Sequence, residues 1–379
     1  MENIKFIGRH EELEKIRNIK GNFFLIIKGR RRIGKTLFLR KAFPEAVYLF
    51  IWPDKSLDWI CQEICIENNL PSFSKFKDII EYLLDKEKII ILDEFQNFLN
   101  IDKSVYGELQ KIIDERKLKN KFCKISVAGS SYSLMNKVFN DSASPLYGRR
   151  TNEIVLGNLK TSDLIKELKI SFEEFIKLWA VFEGIPYYYE LIDIKKSAED
   201  NIISLIVSKN SQLIDEGKAI LSVEFGKDSK TYNTVLSAIS EGKTKINEIS
   251  TFFDNKKNEV VKYLDILRND FNLVRKMTPL TDNPIKSKEG RYEIIDNFLS
   301  FWFLFIDKQR GLIEQDRLKE VENNFKKNFN NYLGRKFEKF ILELLKQERF
   351  LELKSFEKFG NQWGKYNGKE GNSFLKKDI

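Results

Sequence analysis

The sequence predicts an α/β fold with a parallel sheet and a phosphate-binding loop that follows one of its strands. The apolar run Phe23–Ile27 is followed by Gly29–Thr36, which matches G-x-x-x-x-G-K-[ST], and then by a helical pattern. This is the strand, loop and helix order of a P-loop. A second apolar run, Ile89–Leu92, ends in Asp93 and Glu94. A parallel strand that is buried on both faces would deliver these acids to the carboxyl edge of the sheet.

The P-loop motif predicts ATP or ADP, with Mg²⁺, as the cofactors. Its glycines let backbone N–H groups and a helix N-terminus point at the β-phosphate, while Lys35 reaches the β/γ oxygens and the Thr36 hydroxyl binds Mg²⁺. The alternative is a fortuitous loop of glycine and lysine. The predicted nucleotide-binding residues of the loop are Gly29, Arg30, Arg31, Arg32, Ile33, Gly34, Lys35, Thr36 and Leu37.

The two acids after the second strand complete the predicted chemistry. Asp93 would hold Mg²⁺ through water, and Glu94 would be the general base for hydrolysis. The alternative for such a pair is an ordinary solvated strand end.

Composition fits a globular protein of several domains and limits the partners. Of 379 residues, 42% are hydrophobic, and the formal charge of +9 is spread among 56 acids, so charge supports nucleic-acid binding only weakly. Genome base composition would explain the same excess. Three cysteines without a C-x-x-C pattern predict neither a disulfide framework nor a zinc site, and Cys61 and Cys65 are predicted to be buried thiols.

The termini and apolar runs predict a reduced, cytoplasmic protein with no membrane partner. The N-terminus lacks the apolar region of a signal peptide. The longest apolar stretch, Phe298–Ile306, is too short to span a bilayer.

The segment before the P-loop carries a family resemblance. Phe6–Leu13 reads as a turn and a helix start, and it resembles the F-x-G-R-x-x-E-L entry box of AAA+ and STAND-type ATPases. The resemblance implies that Ile7, Gly8 and Arg9 pack near the adenine.

Strands and helices then alternate, as in an open parallel sheet. The predicted strands are Val47–Ile51, Lys124–Ala128 and Ile154–Leu156, and the predicted helices are Leu57–Asn68, Lys77–Leu84 and Gln96–Lys117.

A small polar sequence ends the strand Lys124–Ala128. In the AAA+ class this position is sensor 1, so the resemblance implies that Ser130 contacts the γ-phosphate or the lytic water. An ordinary Gly-Ser-Ser turn is the alternative.

Arg149 and Arg150 precede the last core strand, where the resemblance places arginine fingers. A planar, permanently charged guanidinium stabilises charge that spreads over a transferred phosphoryl group. The alternative for each arginine is a salt bridge at a helix end.

From Leu159 to about Leu213 the pattern is helical and resembles the lid of these ATPases. It contains Gly184-Ile185-Pro186, which resembles the Gly-x-Pro motif of STAND ATPases and implies that Pro186 packs on the nucleotide base. A proline in the first turn of a helix explains the same residues without a ligand.

Residues 222–310 predict a winged helix-turn-helix. Its predicted helices are Tyr232–Ser240, Lys245–Phe252 and Asn255–Asn269, and its hairpin segments are Leu273–Pro279 and Arg291–Ile294. DNA contacts would come from Lys256, Lys257 and Lys262. Because the segment has fifteen basic against thirteen acidic residues, protein contacts remain an alternative.

The C-terminal part carries the family-level resemblance. Asp296–Phe303 resembles the D-x-F-L-x-F-W segment that follows the winged helix in a prokaryotic, mainly archaeal, STAND-type ATPase family. Tyr332 is predicted to open a helix through Leu345 that resembles the start of a restriction-endonuclease-like domain. Glu338 would be its helical acid and Asp378 a first strand acid. Because its strands should begin only near Lys376, we expect this domain to be incomplete and without nuclease activity.

The sequence thus predicts an α/β, AAA+/STAND-type P-loop core (1–157), a helical lid (158–221), a winged helix-turn-helix domain (222–310) and a short α+β C-terminal segment (311–379). The predicted function is that of a Mg²⁺-dependent ATP-hydrolysing switch with DNA, a protein or a second copy as partner. The rival is a non-catalytic nucleic-acid-binding or regulatory protein with a structural nucleotide. A nucleotide kinase is disfavoured because no phosphate-acceptor pocket is evident from the sequence.

Overall fold

The computed structural model describes residues 6–208, 211–225, 229–280, 282–283, 287 and 289–348, and the short segments 356–359, 365–366, 369–370 and 375–377. The chain divides into two compact units, Met1–Asn158 and Leu159–Ile379. In the described residues no helix combines the length and apolar character needed to cross a membrane.

The first unit contains a five-stranded parallel sheet, which confirms the predicted α/β core. Its strands are β1 (Phe23–Lys28), β2 (Val47–Phe50), β3 (Ile90–Asp93), β4 (Lys124–Gly129) and β5 (Asn152–Val155). The order across the sheet is β2-β3-β4-β1-β5, and every pair is parallel. All six residues of β1 are buried, as expected of a strand that is paired on both edges and covered on both faces.

Seven helices of the first unit lie in the described residues. They are α1 (His10–Arg17), α2 (Lys35–Ala42), α3 (Leu57–Glu67), α4 (Phe76–Asp85), α5 (Phe98–Ile101), α6 (Ser104–Leu118) and α7 (Tyr132–Phe139). Cys61 and Cys65 are buried on α3, as predicted. Cys61 is a core residue, and its burial raises the pKa of the thiol to about 12.

The prediction of one continuous helix from Gln96 to Lys117 was wrong. The chain forms a 3₁₀ turn over Phe95–Asn97, then α5, and then α6. Between the two α-helices Asp102 is extended, with φ −159° and ψ 110°. Its Oδ1 accepts a hydrogen bond of 2.8 Å from the Ser104 N–H, so a local acceptor for a free N–H group helps to start the second helix.

The second unit is mainly helical up to β6 and β7. Its helices are α8 (Thr161–Leu168), α9 (Phe172–Phe182), α10 (Pro186–Glu190), α11 (Ala198–Ile202), α12 (Glu216–Phe225), α13 (Ser229–Ser240), α14 (Ile246–Ser250) and α15 (Lys257–Asn269). A π-helical turn over Ile203–Val207 continues α11. Strands β6 (Val274–Met277) and β7 (Arg291–Ile294) then pair antiparallel. The order of α13 to β7 is the one predicted for a winged helix, and that identification stays a prediction.

Three more helices and four short strands complete the described part of this unit. They are α16 (Asn297–Phe305), α17 (Arg310–Glu314), α18 (Leu318–Glu348), β8 (Phe356–Phe359), β9 (Lys365–Tyr366), β10 (Lys369–Glu370) and β11 (Leu375–Lys377). The predicted start of a helix at Tyr332 was wrong, because α18 begins fourteen residues earlier. Its first turns bury Val321, Phe325 and Phe329 at a spacing of four, so they belong to the same apolar stripe.

The expected strand at the C-terminus also differs. Strand β11 pairs antiparallel with β8, which precedes it in the chain, so it has a partner that the sequence did not indicate. Glu338 lies on α18, and Asp378 lies outside the described residues.

Candidate nucleotide site

The P-loop connects β1 to α2 and folds around the amine of Lys35. Gly34 precedes α2 with φ 86°, a left-handed conformation that glycine adopts without steric cost. Lys35 is buried, and its Nζ donates to the carbonyls of Gly29 at 2.9 Å and Arg30 at 3.2 Å. The loop thus places a buried cation beside the N-terminus of α2, whose first N–H groups lack partners within the helix, and this is the arrangement that binds phosphate.

The other loop residues surround this centre. Ile33 is buried, Arg31 is exposed at the tip and Leu37 is exposed on α2, while Arg30, Arg32 and Thr36 are half-buried. The structure thus places the predicted residues 29–37 on one loop and the first turn of one helix.

The predicted metal ligands meet at the end of β3. The Thr36 hydroxyl donates to Asp93 Oδ2 at 2.5 Å, and the Glu94 N–H donates to Asp93 Oδ1 at 3.0 Å. Asp93 is 2% exposed. A hydroxyl and a carboxylate are hard oxygen donors, so the pair fits Mg²⁺, which is usually held by one or two such groups together with substrate phosphates.

A third donor reaches the same carboxylate. The Tyr48 hydroxyl, on β2, donates to Asp93 Oδ2 at 2.8 Å. Burial, followed by the charge of Asp93, raises the pKa of Tyr48, so this hydroxyl keeps its proton at neutral pH.

Two side chains hold the carboxylate of Glu94. Its Oε2 accepts hydrogen bonds from Ser130 Oγ at 2.7 Å and from Gln96 Nε2 at 2.5 Å. A Cβ at Gly129 would lie 2.4 Å from Gln96 Oε1, so the glycine that ends β4 makes room for this glutamine. Ser130 therefore contacts the predicted base, and its predicted contact with phosphate or water stays a prediction.

The entry box contacts the P-loop directly. Gly8 and Arg9 are both left-handed, with φ 62° and 64°. Arg9 is 6% exposed, and its Nη2 donates to the carbonyl of Ile33 at 3.3 Å, while Nη1 lies 3.2 Å from Glu12 Oε1. Ile7 is half-buried beside them. The packing of these residues on adenine stays a prediction.

The two candidate finger arginines have partners within the first unit. Arg149 donates through Nε and Nη2 to the carboxylate of Asp114 at 3.0–3.2 Å, and through Nη1 to the carbonyls of Pro145 and Tyr147. Arg150 Nη1 lies 2.6 Å from Asn140 Oδ1 and 3.1 Å from Glu153 Oε2. These contacts are the ones that the salt-bridge alternative predicts.

Pro186 is the first residue of α10, with Ile185 at the N-cap. This is the position in a helix where proline is tolerated best, so the local structure is the one that the ligand-free alternative predicts. Its contact with a nucleotide base stays a prediction.

Sequence reasoning missed Tyr48, Gln96 and Asp114. Tyr48 lies within an apolar run that gave no sign of a polar role. Gln96 was assigned to a helix, although its place two residues after Glu94 could have suggested a contact.

Comparisons with known proteins identify the family and the fold of the chain. A family model described as an AAA domain matches residues 21–165, and one described as archaea bacterial proteins of unknown function matches residues 302–371. The solved structure of the Walker-type ATPase paby2304 of Pyrococcus abyssi is similar, with a TM-score of 0.59 and 17% identity over 79% of this chain and 96% of that one. This likeness shows the fold.

The uncharacterized protein MJECL04 of Methanocaldococcus jannaschii is 33% identical over 381 residues, which cover 94% of this chain and 82% of that protein. With the AAA domain and the archaeal C-terminal model on one polypeptide, the chain belongs to an archaeal AAA-type P-loop ATPase family that includes this relative.

Proposed function

We propose that this chain binds ATP with Mg²⁺ at the P-loop and hydrolyses it. The observation that carries the proposal is the hydrogen bond of 2.5 Å between Thr36 and Asp93, which lie 57 residues apart in the sequence. It joins the last residue of the P-loop motif to the acid at the end of β3, directly before Glu94. The candidate phosphate-binding loop, the candidate metal ligands and the candidate base therefore belong to one unit.

The residues divide the chemistry between them. When bound, Mg²⁺ neutralises charge on the β- and γ-phosphate oxygens. Lys35 supplies a fixed cation inside the loop, where the phosphates would take the place of the Gly29 and Arg30 carbonyls as its acceptors. Glu94 accepts the proton of the attacking water, and Ser130 and Gln96 both donate to one oxygen of its carboxylate, Oε2, and so hold that oxygen in place.

The test is Glu94→Gln, which keeps the shape but cannot accept the proton. We expect phosphate release to fall by about 100-fold or more, while ATP binding stays within about threefold. Lys35→Ala should weaken binding itself. The matched control is Glu87→Gln, because Glu87 is also a left-handed glutamate, with φ 53°, but is exposed ahead of β3. Parental turnover in Glu94→Gln would remove Glu94 as the base.

A specific observation favours the rival, in which nucleotide is a structural ligand. Both candidate finger arginines are engaged by neighbouring acceptors. A purified protein that retains ADP and releases no phosphate on addition of ATP would support this second function.

We further propose that the nucleotide acts as a switch of the STAND type. The support is the resemblance of the Gly-x-Pro turn at Pro186 and of the segment Asp296–Phe303 to that class. The exposed lysines of α15 support DNA as a partner, and a protein partner or a second copy is the alternative. The free, buried cysteines support a reduced, cytoplasmic location.

A further inference from the structure

Tyr48 belongs to neither nucleotide motif, yet it touches the residue expected to hold the metal. It lies on β2, where it pairs with Ile91 of β3, two residues before Asp93. Its side chain reaches along the strand direction, so the hydroxyl meets Asp93 Oδ2 at 2.8 Å.

Three donors of different origin define the orientation of the Asp93 carboxylate. Thr36 and Tyr48 both donate to Oδ2, and the Glu94 N–H donates to Oδ1. The terminal torsion of an aspartate has a broad minimum, so hydrogen bonds to both oxygens are what hold its plane. Thr36 would also have to ligate the metal, so Tyr48 is the side-chain donor to this carboxylate that lies outside the expected coordination sphere.

The tyrosine ring is itself fixed from the side of the P-loop helix. The guanidinium carbon of Arg40, on α2, lies 4.4 Å from the centroid of the Tyr48 ring, which is a cation–π contact. Tyr48 is thus held between the helix that carries Thr36 and the strand that carries Asp93.

We propose that Tyr48 is a positioning residue that orients Asp93 toward the Mg²⁺ of the nucleotide complex. The inference rests on the proposed function. Residues that hold metal ligands from outside the coordination sphere commonly affect metal affinity by about 10–100-fold. The role is therefore large enough to measure as binding, without relying on turnover.

The experiment is a titration of Mg²⁺ into full-length protein with a fluorescent ADP analogue, repeated in EDTA. For Tyr48→Phe, which keeps the ring over Arg40, we expect the half-saturating Mg²⁺ concentration to rise by about tenfold. Affinity for the ADP analogue in EDTA should stay within twofold of the parent. Excess Mg²⁺ should restore binding, which it would not do for a general structural defect.

The matched control is Tyr106→Phe. Tyr106 is buried in the same unit, and its hydroxyl contacts the carbonyl of Phe95 at 3.4 Å rather than Asp93. A Tyr48→Phe titration equal to the parent, an equal loss of affinity in EDTA, or the same shift in Tyr106→Phe would each overturn the inference. If the parent shows no dependence on Mg²⁺ at all, the proposed function falls with it.

Discussion

Arg149 and Arg150, which lie just before β5, differ in how many of their guanidinium nitrogens make the contacts described above. The guanidinium of Arg149 engages both oxygens of Asp114 and two backbone carbonyls. Arg150 uses Nη1 for its contacts with Asn140 and Glu153. An arginine finger must turn toward the phosphoryl group, and Arg150 would lose fewer contacts than Arg149 in doing so. Arg150 is therefore the better candidate for a finger.

We predict that Arg150→Ala lowers kcat by about tenfold or more and changes ATP affinity by less than about threefold. The reason is that a finger acts when charge develops in the transition state. Such arginines raise kcat by a factor of about 10³–10⁵ in P-loop enzymes. Steady-state phosphate release and equilibrium binding measure the two effects separately. The control is Asn140→Ala, which removes a partner of Arg150 but keeps the guanidinium.

Arg149→Ala should instead behave like Asp114→Ala. If the pair is structural, both variants lose about 1 kcal/mol of stability or less, because the bridge is partly exposed, and neither changes kcat. A kcat loss confined to Arg149→Ala would make that arginine the finger. Parental kcat in both arginine variants would make both structural.

The sequence predicted the residues of the P-loop and of the β3 end because each sits in a short, ordered pattern. It did not predict the contact of Tyr48 with Asp93. That contact depends on β2 being the neighbour of β3, and on a tyrosine in an apolar run turning its ring toward Arg40 of α2. Neither fact is encoded by spacing along the chain.

Among the elements, α15 carries the predicted DNA contacts. Lys256, Lys257 and Lys262 are all exposed, at the N-cap and along the first turns of this helix. Lys256 lies 3.8 Å from Glu259, a loose pair on the surface. In helix-turn-helix proteins the N-terminal residues of the recognition helix meet the groove.

We predict that replacing these three lysines by glutamine weakens duplex DNA binding and lowers the slope of log affinity against log salt by about one per lysine that contacts a phosphate. Fluorescence anisotropy at several salt concentrations measures both. The control removes the same charge from exposed positions on α18, Lys319, Lys326 and Lys327. Equal effects of the two triple variants would mean that net charge alone binds DNA, and no binding by the parent would remove DNA as a partner.

Helix α18 shows why element boundaries were harder to predict than element types. Its first half contains five asparagines, which favour turns over helix interiors, so propensity hid the helix. The buried apolar stripe from Val321 to Tyr332 outweighs the low helix propensity of these asparagines. Burial on an apolar face commonly decides helix formation in proteins.

At the scale of the whole molecule, the second unit joins distant parts of the chain through a buried polar network. Lys339 Nζ lies 2.5 Å from Glu183 Oε1 and also donates to Asn297 Oδ1 and the Ile295 carbonyl. The Asn297 N–H donates to the other oxygen of Glu183. Lys339 and Glu183 are 5% and 3% exposed. These residues come from the predicted lid, winged-helix and C-terminal segments, so the three segments share one interior.

We therefore predict that the second unit unfolds cooperatively and that Lys339→Met destabilises all of it. Removing one partner of a buried ion pair leaves an uncompensated charge and costs about 3–5 kcal/mol. Hydrogen exchange read by mass spectrometry should show faster exchange in peptides from α9, α16 and α18 together.

The control is Lys326→Met on the same helix. Its bridge to Glu322 is also short, at 2.6 Å, but exposed, and the variant should leave exchange unchanged. The double variant Lys339→Met/Glu183→Gln should recover part of the loss, because the unpaired carboxylate of Glu183 is then also removed. Faster exchange confined to α18 would show instead that the C-terminal segment opens independently of the residues that contain the Gly-x-Pro turn.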